Sequence, residues 1–172
     1  MKRVILVFLL AALLATSLAA APNPVTTVIL VRHAEKASQE DDSPLTAAGT
    51  ERAKELARVL AGVKVDAIYM TQFRRVQDTA APVAAAFGMT PIVRNTGATY
   101  AADLAKHIRA THAGQTVLVV GHSNTTINVM KALGASDVAS MPESEYDNLF
   151  VLTDVEGAAP KVVALRYGVV AR

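Results

Sequence analysis

Two uninterrupted runs rich in β-branched and aliphatic residues, Val25 to Val31 and Thr116 to Val120, limit the folds open to this chain. A strand with one wet face alternates apolar and polar residues. A strand apolar at nearly every position must be covered on both faces, as happens when a sheet lies between layers of helices. The intervening segments supply helices. Thr46 can cap one that carries Ala53, Leu56, Ala57 and Leu60 at helical spacing, with Gly62 as its stop. Arg74 to Phe87 reads as a second helix closed by Gly88, and Pro82 inside it is expected to shorten or kink it. Tyr100 to Thr111, with Leu104 and Ile108 on one face, and Asn124 to Leu133 complete the set. Further strands are expected at Val65 to Met70, Pro91 to Val93, Leu149 to Thr153 and Val162 to Tyr167. The alternation predicts one α/β domain with a mixed, mostly parallel central sheet flanked by helices.

The domain is expected to span residues 22–172, because the first 21 residues have a different character. Lys2 and Arg3 precede an unbroken apolar run from Val4 to Leu14, and small residues follow to Ala21. Ala19 and Ala21 frame an A-x-A-like site before Pro22, the pattern of a secretory signal peptide. Val4 to Ala21 is borderline in length for a membrane anchor, which needs roughly 20 apolar residues. The reading is therefore an exported protein, periplasmic or secreted, with no stable membrane insertion after the leader is removed. The chain has 17 Lys and Arg against 15 Asp and Glu. Losing Lys2 and Arg3 brings the remainder to balance, so no basic footprint for nucleic acid remains. The sequence has no Cys, which removes disulfides, thiol nucleophiles and thiolate metal sites together.

The chemistry concentrates where the two apolar runs end. Leu30-Val31 leads into Arg32-His33-Ala34-Glu35, and Val119-Val120 leads into Gly121-His122-Ser123-Asn124-Thr125. In open parallel sheets, ligands collect at the carboxyl ends of strands, so two histidines delivered there can meet over one pocket.

Arg32-His33-Ala34-Glu35 resembles the Arg-His-Gly signature of the histidine phosphatase superfamily, with Ala34 in place of the usual Gly. Leu45-Thr46-Ala47-Ala48-Gly49 is similar to that family's Leu-Thr-x-x-Gly segment. Thr71 to Ala80 resembles the segment carrying its second phosphate-binding arginine, with Arg75 the match and Arg74 the neighbour. Gly121 to Thr125 resembles the second-histidine segment, and the likeness spans roughly Val25 to Leu133. The resemblance implies a phosphatase acting on a phosphate monoester or on phosphohistidine. His33 would be the nucleophile, His122 would donate a hydrogen bond beside the phosphate, and Arg32 and Arg75 would bind its oxygens. Planar guanidinium groups suit that task, since a phosphate monoester carries about −1.5 to −2 charge at pH 7. Ser123 and Asn124 could add donors at the head of the following helix. No metal and no cofactor is implied. The partner would be a phosphorylated small molecule or a phosphoprotein.

The leaving group needs a proton donor. Ser123 stands where many relatives carry an Asp, so Asp103 and Glu35 are the candidates.

Three other readings compete. Gly121-His122-Ser123-Asn124-Thr125 approaches the G-x-S-x-G nucleophile elbow, but Thr125 replaces the last Gly and no histidine follows His122. The second is a metal site, but His107 and His112 are five apart, which does not place them on one helical face, and they read as solvent-facing. Tyr100, Tyr146 and Tyr167 read as core or rim residues. The third reading is a catalytically weak anion-binding or interaction module on the same fold.

Overall fold

The computed structural model describes residues 23–169. The proposed leader, and residues 22 and 170–172 of the expected domain, lie outside that range. Val25–Arg32 forms β1, and its side chains divide by parity. Val28 and Leu30 enter one apolar cluster, and Ile29 and Val31 enter another. The two-sided burial predicted from the unbroken run is thus what the strand experiences.

The order along the chain is β1, α1 (Ala47–Leu60), β2 (Ala67–Met70), α2 (Arg74–Phe87), β3 (Ile92–Val93), α3 (Tyr100–Thr111), β4 (Thr116–Gly121), α4 (Ser123–Ala132), β5 (Asn148–Val155) and β6 (Lys161–Arg166). They build one six-stranded sheet in the order β3-β2-β4-β1-β5-β6. β4 lies parallel to both β1 and β2, β3 is parallel to β2, and β5 runs antiparallel to β1 and to β6. The sheet is therefore mixed, with its parallel part holding the centre. Leu104 and Ile108 of α3 and Ile127 and Met130 of α4 cover one face, together with Val28, Leu30, Val117 and Val119. Leu56 and Leu60 of α1 and Val76, Ala80 and Val83 of α2 cover the other, against Ile29, Val31, Ile68, Leu118 and Val120. Leu56 is fully buried, and truncating such a residue to Ala typically costs about 2–5 kcal/mol.

Local chemistry explains the boundaries. The Thr46 hydroxyl accepts the Gly49 N–H at 2.9 Å and caps α1. α2 ends on Gly88 in the left-handed region, at φ 63°. Gly62 does not act as the stop expected of it. α1 ends at Ala61, which stays right-handed, and the chain turns through a Val63 N–H bond to the Leu60 carbonyl. α2 also keeps all 14 residues through Pro82, where shortening or a kink was expected. β2 begins at Ala67 rather than Val65, and α4 begins one residue early, at Ser123. Among the described residues no helix is long and apolar enough to cross a membrane.

Candidate active site

Strand register brings the two histidines together. Arg32 is the partner of Gly121 in the β1–β4 ladder, so the next residue on each strand is a histidine. The His33 N–H donates to the Gly121 carbonyl at 2.8 Å, and the two imidazole centroids lie 5.4 Å apart, edge to face. Met70, the last residue of β2, pairs with Val120. This sets Thr71 beside His122, with 3.0 Å between the Thr71 hydroxyl and His122 Nε2. Three parallel strands thus end at one place, as their order required.

An open cleft of about 420 Å³ lies there. His33, Lys36, Arg75, Thr96, His122 and Glu143 are among its walls, with Ser123, Asn124 and Thr125 at the head of α4. His122 is the residue before α4, so the helix directs its free N-terminal amides and positive dipole end toward the cleft. Gly121 permits this turn. A Cβ there would stand 2.7 Å from the Thr125 hydroxyl, which accepts the His122 N–H at 2.8 Å.

The tautomer of His33 follows from its neighbour. Nδ1 lies 2.7 Å from the Ala34 carbonyl, which can only accept, so Nδ1 carries the proton and Nε2 keeps its lone pair. Burial, opposed by that carbonyl bond and reinforced by the charges of Arg32, His122 and Arg75, lowers the His33 pKa to about 3. Burial and the same two arginines lower that of His122 to about 4. Both rings are therefore neutral near pH 7. On His122, Nδ1 faces the donor Nη2 of Arg75 at 3.4 Å, which leaves Nε2–H to donate to the Thr71 hydroxyl.

The arginines differ in setting. Arg75 lines the cleft, its guanidinium stacked 4.6 Å over the Phe73 ring, while Arg74 is exposed and pairs with Asp78 at 3.6 Å on the helix surface. Arg32 is 1% exposed and lies 4.2 Å beneath the Tyr146 ring centroid. Its Nη1 donates to the carbonyls of Pro142, Glu143 and Glu145, and its Nη2 to the Glu143 carboxylate at 2.5 Å. Among the described residues, the buried Nε–H of Arg32 and that of Arg75 find no acceptor, so each arginine has a donor to spare. Ala34, where the resembled signature has Gly, is fully buried and gives its N–H to the Thr79 hydroxyl at 2.9 Å. No residue other than Gly adopts positive φ among the described residues, so the extra methyl meets no backbone conflict at this position.

Neither nominated acid lines this cleft. Burial opposes charge on Glu35, but hydrogen bonds from Arg52 hold its carboxyl below the usual range. That pair, at 2.7 Å, belongs to a clamp in which Arg52 also reaches the carbonyls of Tyr167 and Val169. Asp103 lines a separate, smaller hollow with Arg94 and Tyr100. The carboxylate in the cleft is Glu143, which no motif in the sequence singles out. It sits in an aperiodic segment between α4 and β5, held by the Arg32 guanidinium on its carbonyls and by the docking of β5 on β1. Tyr146, 5.9 Å from the His33 ring, enters with it.

His107 and His112 are not simply solvent-facing. Both pack edge-on against Tyr69, and the Tyr69 hydroxyl meets His112 Nε2 at 2.7 Å. His112 stands at the C-terminal cap of α3, where the helix ends, so the helical spacing rule no longer separates the two rings. Tyr100 and Tyr167 are core residues, and burial pushes the Tyr100 hydroxyl up to about 12.

A family model for the histidine phosphatase superfamily (branch 1) matches residues 28–97, the stretch from β1 to just beyond β3. Among solved structures, the chain is similar to a Nakamurella multipartitia protein proposed to be the phosphohistidine phosphatase SixA. The identity is 25% and the TM-score 0.61, over 87% of this chain and all of that one. It also resembles the protein histidine phosphatase SixA complexed with tungstate, at 17% identity and TM-score 0.65, covering 81% of this chain and 96% of the other. A mycobacterial glucosyl-3-phosphoglycerate phosphatase aligns at 16% identity and TM-score 0.66, covering 84% and 100%. No curated protein sequence matches.

Proposed function

We propose that the chain is a histidine phosphatase that hydrolyses a phosphate monoester or phosphohistidine through a phosphohistidine formed on His33, without a metal. The observation that carries this reading is the fixed tautomer of His33. Its Nδ1–H is committed to the Ala34 carbonyl, and Nε2 is a neutral nucleophile in a cleft walled by Arg75, Lys36 and the head of α4. A nucleophile of this kind needs no deprotonation before attack, and covalent capture divides one difficult displacement into two easier ones.

The residues around it supply charge and direction. Arg75, Lys36 and the amides of α4 offset the negative oxygens of the transferring group. His122 Nε2–H donates to Thr71 in the free enzyme and would transfer that bond to a phosphate oxygen. Arg32 adds positive charge from beneath Tyr146, and Ser123 and Asn124 are further ligands at the rim. The likeness to proteins bearing the SixA name favours phosphohistidine on a protein as one substrate class. The open cleft is compatible with a side chain presented on a protein surface. The leader-like first 21 residues favour action outside the cytoplasm.

The test uses the leader-free protein, an activated aryl phosphate and a chelator. Denaturation in alkali, where phosphohistidine survives, should yield phosphate on His33, and His33→Ala should lose essentially all turnover. Turnover by His33→Ala at a near-normal rate would sink the mechanism. Tight phosphate binding with neither turnover nor label would instead favour an anion-binding module.

A further inference from the structure

Among the described residues lining the cleft, Glu143 is the one carboxylate. One of its oxygens accepts from Arg32 Nη2 at 2.5 Å, and the other accepts from the Ser123 hydroxyl. Ser123 lines the cleft that a phosphate would enter, and Arg32 lies directly before His33 on β1, so the carboxylate acts as an internal stand-in for an anion. The side chain is 76% exposed and is free to swing, whereas its Arg32 partner is 1% exposed and fixed.

We infer that Glu143 is the proton donor to the leaving group, and that an arriving phosphate loads it with its proton by displacing it from Ser123 and Arg32. The assignment rests on the phosphohistidine reading above. In the free enzyme the Ser123 hydroxyl, and with it Arg32, hold the Glu143 carboxyl below the usual carboxylate range. Other charged or titratable groups facing it are Lys36 from the loop after β1, Arg75 from α2 and His122 at the head of α4. A bound phosphate dianion takes up the donors and screens these cations, which removes what favours the charged form and adds a like charge. A proton then joins Glu143 from solvent.

In the first step a bond forms between His33 Nε2 and phosphorus, the ester P–O bond breaks, and the Glu143 carboxyl proton passes to the departing oxygen. In the second step the Glu143 carboxylate takes a proton from the attacking water. The P–N bond breaks, its electron pair returns to Nε2, and phosphate leaves. Ester and water thus become alcohol and phosphate with every proton accounted for.

Glu143→Gln keeps the shape of the side chain and cannot exchange a proton. Assayed on a leaving-group series, it should lose about 10²-fold in kcat/KM on an alkyl phosphate such as glycerol phosphate, and only a few-fold on dinitrophenyl phosphate, whose leaving group needs no proton. Glu143→Asp should recover part of the alkyl activity. Calorimetry with inorganic phosphate, in buffers of different ionisation heat, should show proton uptake that Glu143→Gln abolishes while still binding phosphate. An equal loss across the series, or none, would overturn the assignment even with phosphohistidine still trapped. Failure to trap phosphohistidine in the wild-type enzyme would remove the reading on which it rests, and the assignment with it.

Discussion

Replacing His33 with Asn should flatten the loss of stability in acid, by an amount that follows from the burial of one neutral ring. In the folded chain His33 takes a proton only near pH 3, because burial and the nearby cations oppose it. In the unfolded chain it titrates near its ordinary 6.5. Above pH 6.5 both states hold a neutral ring and the residue contributes nothing to pH dependence. Between 6.5 and about 3 the unfolded state binds the extra proton, so stability falls as pH falls, at up to about 1.4 kcal/mol per pH unit. From pH 6.5 to 4.5 the accumulated loss from this one ring is about 2 kcal/mol. His122, lowered to about 4, and carboxylates held below their usual range all act with the same sign, and they are common to both proteins. Subtracting the variant from the wild type therefore isolates His33. Urea unfolding followed by far-ultraviolet circular dichroism suits a protein without Trp, at half-unit steps in phosphate-free buffer. Phosphate would bind only the folded state and distort the comparison. Parallel pH curves for the two proteins would refute the reasoning. They would mean that folded His33 accepts a proton as readily as a free imidazole and is not held as a neutral nucleophile.

Two further substitutions separate site from scaffold. Arg75→Ala should lower kcat/KM on an aryl phosphate by about 10²-fold, in line with a lost charged donor, while Arg74→Ala on the helix surface stays within about twofold. The reverse pattern would show that the wrong arginine faces the cleft. Gly49→Ala should destabilise the fold by about 2 kcal/mol, since its Cβ would overlap the Glu35 carbonyl oxygen and stand 3.0 Å from the Glu35 nitrogen, where neither backbone can yield cheaply. A denaturation midpoint unchanged from wild type would show that the α1 contact with this loop is slack.

The parts of this site that could be read in the sequence are those fixed by short-range rules. His33 and His122 follow apolar runs that had to be strands, and residues at the ends of parallel strands share one edge of the sheet. Arg75 could be told from Arg74 only through the resemblance, since helical spacing alone allows either. The pairing of Arg32 with Gly121 joins segments far apart in the chain, and no local pattern states which strands will be neighbours. Glu143 and Tyr146 were hidden for the same reason and for one more. Their segment has neither helical nor strand period, so its position depends on where β5 docks. Glu35 stands two residues after His33, and Asp103 lies in the segment after β3. The fold turns Glu35 toward Arg52 and places Asp103 over a separate hollow. Gly62 does not stop α1 and Pro82 does not shorten α2, because the side-chain rules for stopping helices are weak beside the packing of the two helices on the sheet.

The placement of β1 has a consequence in time. It is the first strand a ribosome would complete, yet Thr27 pairs with Thr116 on one side and Val25 with Val155 on the other. The middle of the sheet therefore stays open until nearly the whole chain exists, and closing such long loops is slow. During that interval an apolar strand with two bare edges waits for partners, which invites mispairing between chains. It also means that the proposed nucleophile is made long before anything can shape it. His33 gains its second histidine only when β4 arrives, and its carboxylate neighbour only when β5 docks, so the cleft takes its final form late in synthesis.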